Sequence, residues 1–376
     1  MSQTDVRSDD AFTPPPVRTV AGVDIGSNSV RMVIAEVLSD GEFTVLETLQ
    51  RAARLGQDTF RRGRLSSETM RATVSILRDY RRLLDFYDVQ QIRAVATSAV
   101  REASNADMFL DRIFMSTSLD VEVIDTSEES RLTVSAVRHE TGDVFERSDH
   151  ALIADVGGGS TLLTIMEKGE IAFSQSLRLG SIRLQEVLST TQESPERAAE
   201  LLRQQVANVV GSATHALPLG RVDTLIAVGG DARFAARHAG KSPRGGGPPR
   251  INRPDFGALA GQCQRCTAEE LSRRYRLPFA DAETLAPAML VYEALLDATG
   301  VQKVLVSRAS MRDGLLLDLA ASVTGREDEA LAAGVVHSAT NIAEKFHCDI
   351  DHAEHVTNLS LRLFDEEITG IDVPVV

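Results

Sequence analysis

The stretch Ile153–Thr161 reads IADVGGGST. The apolar run Ala151 to Ala154 leading into it predicts a short buried strand. That strand delivers Asp155 to a turn made of Gly157, Gly158 and Gly159, followed by the hydroxyls of Ser160 and Thr161. A second apolar run, Leu162 to Met166, follows at once. Strand, glycine turn and strand make a hairpin with a carboxylate at its mouth. Glycines let backbone N–H groups converge with no Cβ in the way, and such a concavity holds phosphate oxygens. Asp155 is placed to hold Mg²⁺ against that phosphate. The same residues also fit an ordinary glycine hairpin turn.

The layout recurs near the N-terminus. In Val20–Val37, VAGVDIGSNSVRMVIAEV, a strand delivers Asp24 to the turn Gly26, Ser27, Asn28 and Ser29, and Val30 to Val37 reads as the return strand. A third apolar strand, in Leu225–Asp231, LIAVGGD, ends in Gly229, Gly230 and Asp231. Three such turns in this order predict two related halves facing one phosphate cleft.

The chain has 376 residues, which predicts two or three domains. Its hydrophobic fraction of 43% and charged fraction of 25% are those of a globular protein. The polar, proline-rich start, residues 1–15, reads as a disordered tail without an apolar signal region, so a cytoplasmic protein is expected. No run approaches the roughly 20 apolar residues of a membrane span. A net charge of −14 disfavours nucleic-acid partners and requires local positive charge or metal for a polyanionic one. Such charge is present between Arg51 and Arg101, where eleven arginines meet few acids; a solvated helix face is the competing explanation. Cys263, Cys266 and Cys348 do not form a disulfide framework, and incidental helix cysteines are favoured over a zinc or redox site.

Between the turns, strands and helices alternate, which indicates α/β architecture with crossover connections. Ser66 is expected to cap a helix whose Met70, Val74, Leu77, Tyr80, Leu83 and Leu84 fall at helical spacing and are mostly core, and Ser194-Pro195 to open another. Arg54-Leu55-Gly56 reads as the start of a loop, and Phe256–Arg274 as one helix. Glu128 and Glu129 follow a serine cap; they read either as compensation of the helix dipole or, for one of them, as a general base. Lys241–Pro254 reads as a mobile Gly/Pro loop, and Ala339–Phe346 and Glu354–Phe364 as helices.

With DIGSNSVRMVIAEV, ATSAVREASN from Ala96, SEESRL from Ser127, DVGGGST, SLRLGSIRL from Ser176, AVGGD and VSRASMRDGL from Val306, the chain resembles the exopolyphosphatase and guanosine pentaphosphate phosphohydrolase family over about Val20–Leu319. The resemblance implies two actin-like (ribonuclease H-like) α/β lobes, 16–150 and 151–322, around a phosphate cleft. Residues 323–376 then resemble the start of an all-helical HD-type module that breaks off early. It implies Mg²⁺-dependent removal of terminal phosphate from inorganic polyphosphate or guanosine pentaphosphate. Glu129 takes the general-base position and Asp155 that of the metal ligand. Asp24, Gly26–Ser29 and Arg31 form one phosphate loop, Gly157–Ser160 the other, and Gly229, Gly230 and Asp231 a third contact. Thr97, Ser98 and Arg101 would help hold the phosphate chain. A second copy of the chain is the expected partner, with no nucleic acid and no membrane.

Two positions depart from the family pattern: Leu162 stands where a glutamate is usual, and Asp231 where a threonine is usual. Asp231 either replaces the missing carboxylate or caps the helix beginning near Ala232. Besides the hydrolase, two other readings stand: a polyphosphate or alarmone binder with little catalysis, favoured by Leu162, and an ATP-dependent kinase of the same superfamily.

Overall fold

The computed structural model describes residues 18–144, 148–243, 246–325, 343 and 348–368. The chain divides into a compact unit through Glu327 and a second unit from Asp328. In the first half of the large unit, three strands, β1 (Arg18–Ile25), β2 (Ser29–Val37) and β3 (Phe43–Ala52), precede helices α1 (Leu55–Arg62) and α2 (Ser67–Phe86). Strand β4 (Gln91–Ala96), helices α3 (Ser98–Arg101) and α4 (Ala106–Thr117), strand β5 (Val121–Val123) and helix α5 (Thr126–Thr141) complete it. The second half repeats the plan with β6 (His150–Val156), β7 (Thr161–Glu167), β8 (Glu170–Leu177), α6 (Ser181–Leu188), α7 (Pro195–Ala213) and β9 (Thr224–Val228). Helix α8 (Gly230–Ala239), β10 (Arg250–Asn252), α9 (Arg253–Gln264), α10 (Ala268–Tyr275), α11 (Phe279–Thr299), β11 (Lys303–Val306) and α12 (Met311–Thr324) follow. In the unit from Asp328, helix α13 (Ile350–Ile368) is described.

The first sheet runs β3-β2-β1-β4-β5 and the second β10-β11-β9-β6-β7-β8. With β10 set aside, the two orders are the same read from opposite ends. In each, an antiparallel hairpin is extended by parallel strands reached through crossover helices. This is the expected actin-like, two-lobed α/β architecture. The two hairpins also share their register: Asp24 lies opposite Arg31, and Asp155 opposite Leu162. Arg31 and Leu162 thus occupy the same place in the two halves.

Several local expectations hold. Ser66 accepts from the Thr69 N–H, Ser194 from the Arg197 N–H, and Pro195 opens its helix. Others do not. The segment after Arg54 is helix α1, not loop: Leu55 and Thr59 are buried and Thr59 donates to the Ala99 carbonyl, so tertiary contacts order it. Phe256–Arg274 is broken after Gln264, because the Thr267–Glu270 capping box starts a new helix. Asp125, not a serine, caps α5. Lys241 and Arg250 pair across the Gly/Pro segment, whose residues 244–245 lie outside the described residues. The expected N-terminal tail and most of Ala339–Phe346 also lie outside them.

The terminal helices are exchanged. Helix α5 follows the first sheet, yet its Val134 and Val137 pack on Ala151, Ile153, Met166 and Ile226 of the second. Helix α12 follows the second sheet, yet its Leu316, Leu319 and Ala320 pack on Val20, Val33 and Val37 of the first. The sequence boundary at 150/151, which kept α5 with the first lobe and α12 with the second, does not anticipate this exchange. The helices meet where a Cβ on Gly314 would overlap the backbone of Leu132. Among the described residues no helix is long and apolar enough to cross a membrane.

Candidate functional site

The two glycine turns approach each other across the cleft between the sheets. Each is closed by the same bond: Gly26 N–H to the Ser29 carbonyl at 3.1 Å, and Gly157 N–H to the Ser160 carbonyl at 2.9 Å. Gly157, Gly158 and Gly159 do not have positive φ, so it is space that requires glycine there. A Cβ on Gly158 would lie 3.3 Å from Ser27 Cβ, and one on Gly159 would overlap Ser98 Oγ and Ser27 Oγ. Ser27 and Ser98 hydroxyls share a buried hydrogen bond of 3.1 Å. The turns of both lobes and the start of α3 therefore form one surface.

A cavity of about 320 Å³ opens on this surface. From the first lobe it is lined by Asp24, the turn Gly26–Ser29, Arg31, Thr97 and Ser98, and from α5 by Glu129. The second lobe adds Asp155, the turn Gly157–Ser160, and Gly229, Gly230 and Asp231. Of the residues the family resemblance assigns to the site, Arg101 alone is absent from the lining. It donates to the Glu129 carboxylate and, at 2.6 Å, to the Ile124 carbonyl. Sequence reasoning left three lining arginines, Arg233, Arg237 and Arg312, without a role. Arg312 lies in VSRASMRDGL, quoted above, but one arginine in a first helical turn looks like any solvated residue.

The paired glutamates part company. Glu128 bonds Arg93 at 2.7 Å and Arg131 at 2.7 and 2.8 Å, away from the cleft, and these partners hold its carboxyl below the usual range despite burial. Glu129 faces the cleft. Burial pushes its carboxyl up to about 7; the Arg101 guanidinium opposes the rise, and the Asp155 and Asp24 carboxylates add to it. Burial likewise raises Asp155, against the pull of Arg233 and Arg31, and its carboxylate accepts no hydrogen bond among the described residues. Asp24 pairs loosely with Arg31, at 3.6 Å.

Asp231 does not cap α8. The N-cap is Gly229, and Asp231 Oδ1 lies 2.8 Å from the Thr284 hydroxyl. Burial raises its carboxyl to about 6, with Asp281 adding to the rise and the Thr284 hydrogen bond opposing it. Leu162 lines the same cavity, 6% exposed.

Four buried polar atoms on the lining have no partner among the described residues: Asn28 Oδ1, Ser29 Oγ, Arg31 Nε and Arg312 Nε. Buried polar groups are seldom left unpaired, so this wall is shaped for a polar occupant. Burial and mutual repulsion with Arg31 lower the Arg233 and Arg312 guanidinium values, and an anion between the three would relieve that repulsion. Among the described residues no three His, Cys, Asp or Glu side chains are grouped to cage a metal. A cation here would take most of its ligands from water and phosphate, the habit of Mg²⁺, and the hard carboxylate oxygens of Asp155 and Asp24 fit that ion.

Paired sheets of one strand order, repeated glycine hairpins and a cleft between the lobes place this protein in the actin-like class. The Ppx/GppA phosphatase family matches residues 33–323, and the chain belongs to that family. It is 28% identical over 324 residues to exopolyphosphatase 2 of Mycobacterium tuberculosis, covering 80% of this chain and 98% of that one. With exopolyphosphatase 1 of Mycobacterium leprae it shares 28% identity over 302 residues, 78% of this chain and 87% of that one. Among solved structures, an exopolyphosphatase from Cytophaga hutchinsonii superimposes with a TM-score of 0.72 at 25% identity, covering 81% of this chain and 98% of that one. The Aquifex aeolicus Ppx/GppA family member gives 0.64 at 24% identity, over 83% of this chain and all of that one, and supports the fold.

Proposed function

We propose that this protein is a Mg²⁺-dependent phosphohydrolase that removes the terminal phosphate from inorganic polyphosphate or guanosine pentaphosphate. The observation that carries the reading is Glu129: a carboxyl near pH 7 on the wall of the cavity that both glycine turns line. A general base works best with its value near the operating pH. The chemistry asks for donors, charge neutralisation and a positioned water more than for a covalent nucleophile.

In this reading the N–H groups of the two glycine turns and the hydroxyls of Ser29 and Ser160 hold the terminal phosphoryl oxygens. Arg31, Arg233 and Arg312 face the remaining phosphates. Glu129, oriented by Arg101, accepts a proton from water as the water oxygen bonds to the terminal phosphorus. The anhydride P–O bond breaks, and its electrons leave with the shortened chain. Asp155, with Asp24 beside it, would hold Mg²⁺, whose chemistry is to neutralise phosphate oxygens. Phosphate release from polyphosphate and from guanosine pentaphosphate, compared side by side with and without Mg²⁺, tests the reading. No release from either substrate, by folded protein, would refute it.

Leu162 favours a second reading, a binder of the same polyanions. It puts an apolar side chain where the register of the hairpins puts Arg31 in the other half. Polyphosphate binding without release, and release gained in Leu162→Glu, would select that reading.

A further inference from the structure

The segment SLRLGSIRL, residues 176–184, has no part in the chemistry described so far, yet it holds the second glycine turn from behind. The first turn of α6 donates to that turn's carbonyls: Ser181 N–H to Gly157 at 3.0 Å, Ile182 N–H to Gly158 at 2.9 Å, and Arg183 N–H to Gly158 at 3.0 Å. The Arg183 side chain adds Nε–H to the Gly159 carbonyl at 2.5 Å. All three glycine carbonyls are thus bonded on the α6 side, and a Cβ on Gly180 would overlap Gly159, so the two segments pack backbone to backbone. In a tight turn, fixing the carbonyls fixes the peptide planes, and with them the N–H groups.

Arg183 is 5% exposed and does more than bond Gly159. Its guanidinium lies 3.9 Å above the Phe60 ring, and both terminal nitrogens bond Glu102, one at 3.0 Å. Phe60 and Glu102 belong to the first lobe. Glu102 directly follows Arg101, the residue that holds Glu129.

We propose that Arg183 is a positioning residue for the phosphate site. It sets the N–H groups of Gly158, Gly159 and Ser160 for an anion and, through Glu102, ties that turn to the segment that aims Glu129. The planar fork makes three kinds of contact at once, to a carbonyl, a carboxylate and a ring face, which a lysine cannot reproduce. The inference rests on the phosphohydrolase reading for its kinetics, but not for its binding test.

The test compares parent, Arg183→Ala, Arg183→Lys and Glu102→Gln by steady-state phosphate release per folded molecule, thermal unfolding, and calorimetric titration with inorganic phosphate and Mg²⁺. Arg183→Ala is expected to lose about 10²-fold in kcat, the scale of a misplaced reacting group. Phosphate affinity should fall in parallel, and added guanidinium ion should restore part of both. Lysine should restore little, and Glu102→Gln should fall between parent and alanine. A rate loss that disappears when corrected for folded protein, with phosphate affinity unchanged, would overturn the proposal. If the parent releases no phosphate, the functional reading fails while the phosphate titration still decides the role of Arg183.

Discussion

The Glu129 carboxyl sits among three opposed influences: burial, a partner cation and two neighbouring carboxylates. They leave it ionised above about pH 7 and protonated below. A base is active ionised, so the rate should climb as pH rises through that region and then level. Added Mg²⁺ at Asp155 should move the climb to lower pH by cancelling the carboxylate contribution. Glu129→Gln should keep the fold and lower turnover about 10²–10⁴-fold; an unchanged rate would give the role to another group. Asp231 makes a separate prediction about stability. Its carboxyl rises from 3.8 to about 6 on folding, so the folded state prefers it protonated. That preference costs nothing below the unfolded value; above the folded one it costs stability, by at most about 3 kcal/mol for a rise of about two units. Asp231→Asn keeps an acceptor for Thr284 and removes the titration. The variant should therefore match the parent in melting temperature near pH 4 and exceed it at pH 8. An equal difference at both pH values would mean that the charge at 231 is already compensated.

At the scale of elements, the hairpins carry both fold and site, and they were the part most legible in the sequence. An apolar run, an aspartate, glycines and another apolar run are local signals, and β6–β7 and β1–β2 form where those runs lie. Helix α1 was not legible, because what orders it is contact with Ala99 and burial of Leu55 from distant segments. The split between α9 and α10 was written in Thr267 and Glu270, but the apolar spacing across it hid the signal. Arg233 and Arg312 were missed for a similar reason: only the folded cleft shows that guanidiniums from α8 and α12 face Arg31. The glycine turns themselves offer a direct test. Gly159 does not have positive φ, so alanine there brings little backbone strain, yet its Cβ would overlap Ser98 Oγ and Ser27 Oγ. Gly159→Ala should force the lobes apart, abolishing phosphate release and lowering stability by about 1–3 kcal/mol, the range for overpacking. Gly169→Ala is the contrast: no atom lies within 4 Å of that Cβ, so its φ of +86° leaves only backbone strain, remote from the cleft.

At the scale of the molecule, the exchange of α5 and α12 decides how the lobes respond to stress. Each sheet is covered by a helix that follows the other sheet, so neither lobe can unfold and leave its partner's core intact. A charge network lies where the two helices meet the first sheet. Asp318 on α12 accepts from Arg93 at 2.7 Å and from Arg131, which also bonds Glu128. Asp318 and Arg131 side chains are 12% and 9% exposed, so removing one partner strands charge away from water. Breaking a buried pair in this way costs about 3–5 kcal/mol; the second acceptor of Arg131, Glu128, keeps the expected loss near the lower end. The pH dependence has the usual carboxylate sign. Glu128 is held below its ordinary value in the fold, so its contribution is full above the ordinary glutamate range and is lost as pH falls through the folded value. Asp318→Ala should lower stability by about 3 kcal/mol at pH 7. Because both lobes share the exchanged helices, the loss should appear in denaturant as one transition shifted for probes in either sheet. Separate transitions for the first and second sheets, or a parent-like midpoint in Asp318→Ala, would show that the helices cover the lobes without coupling them.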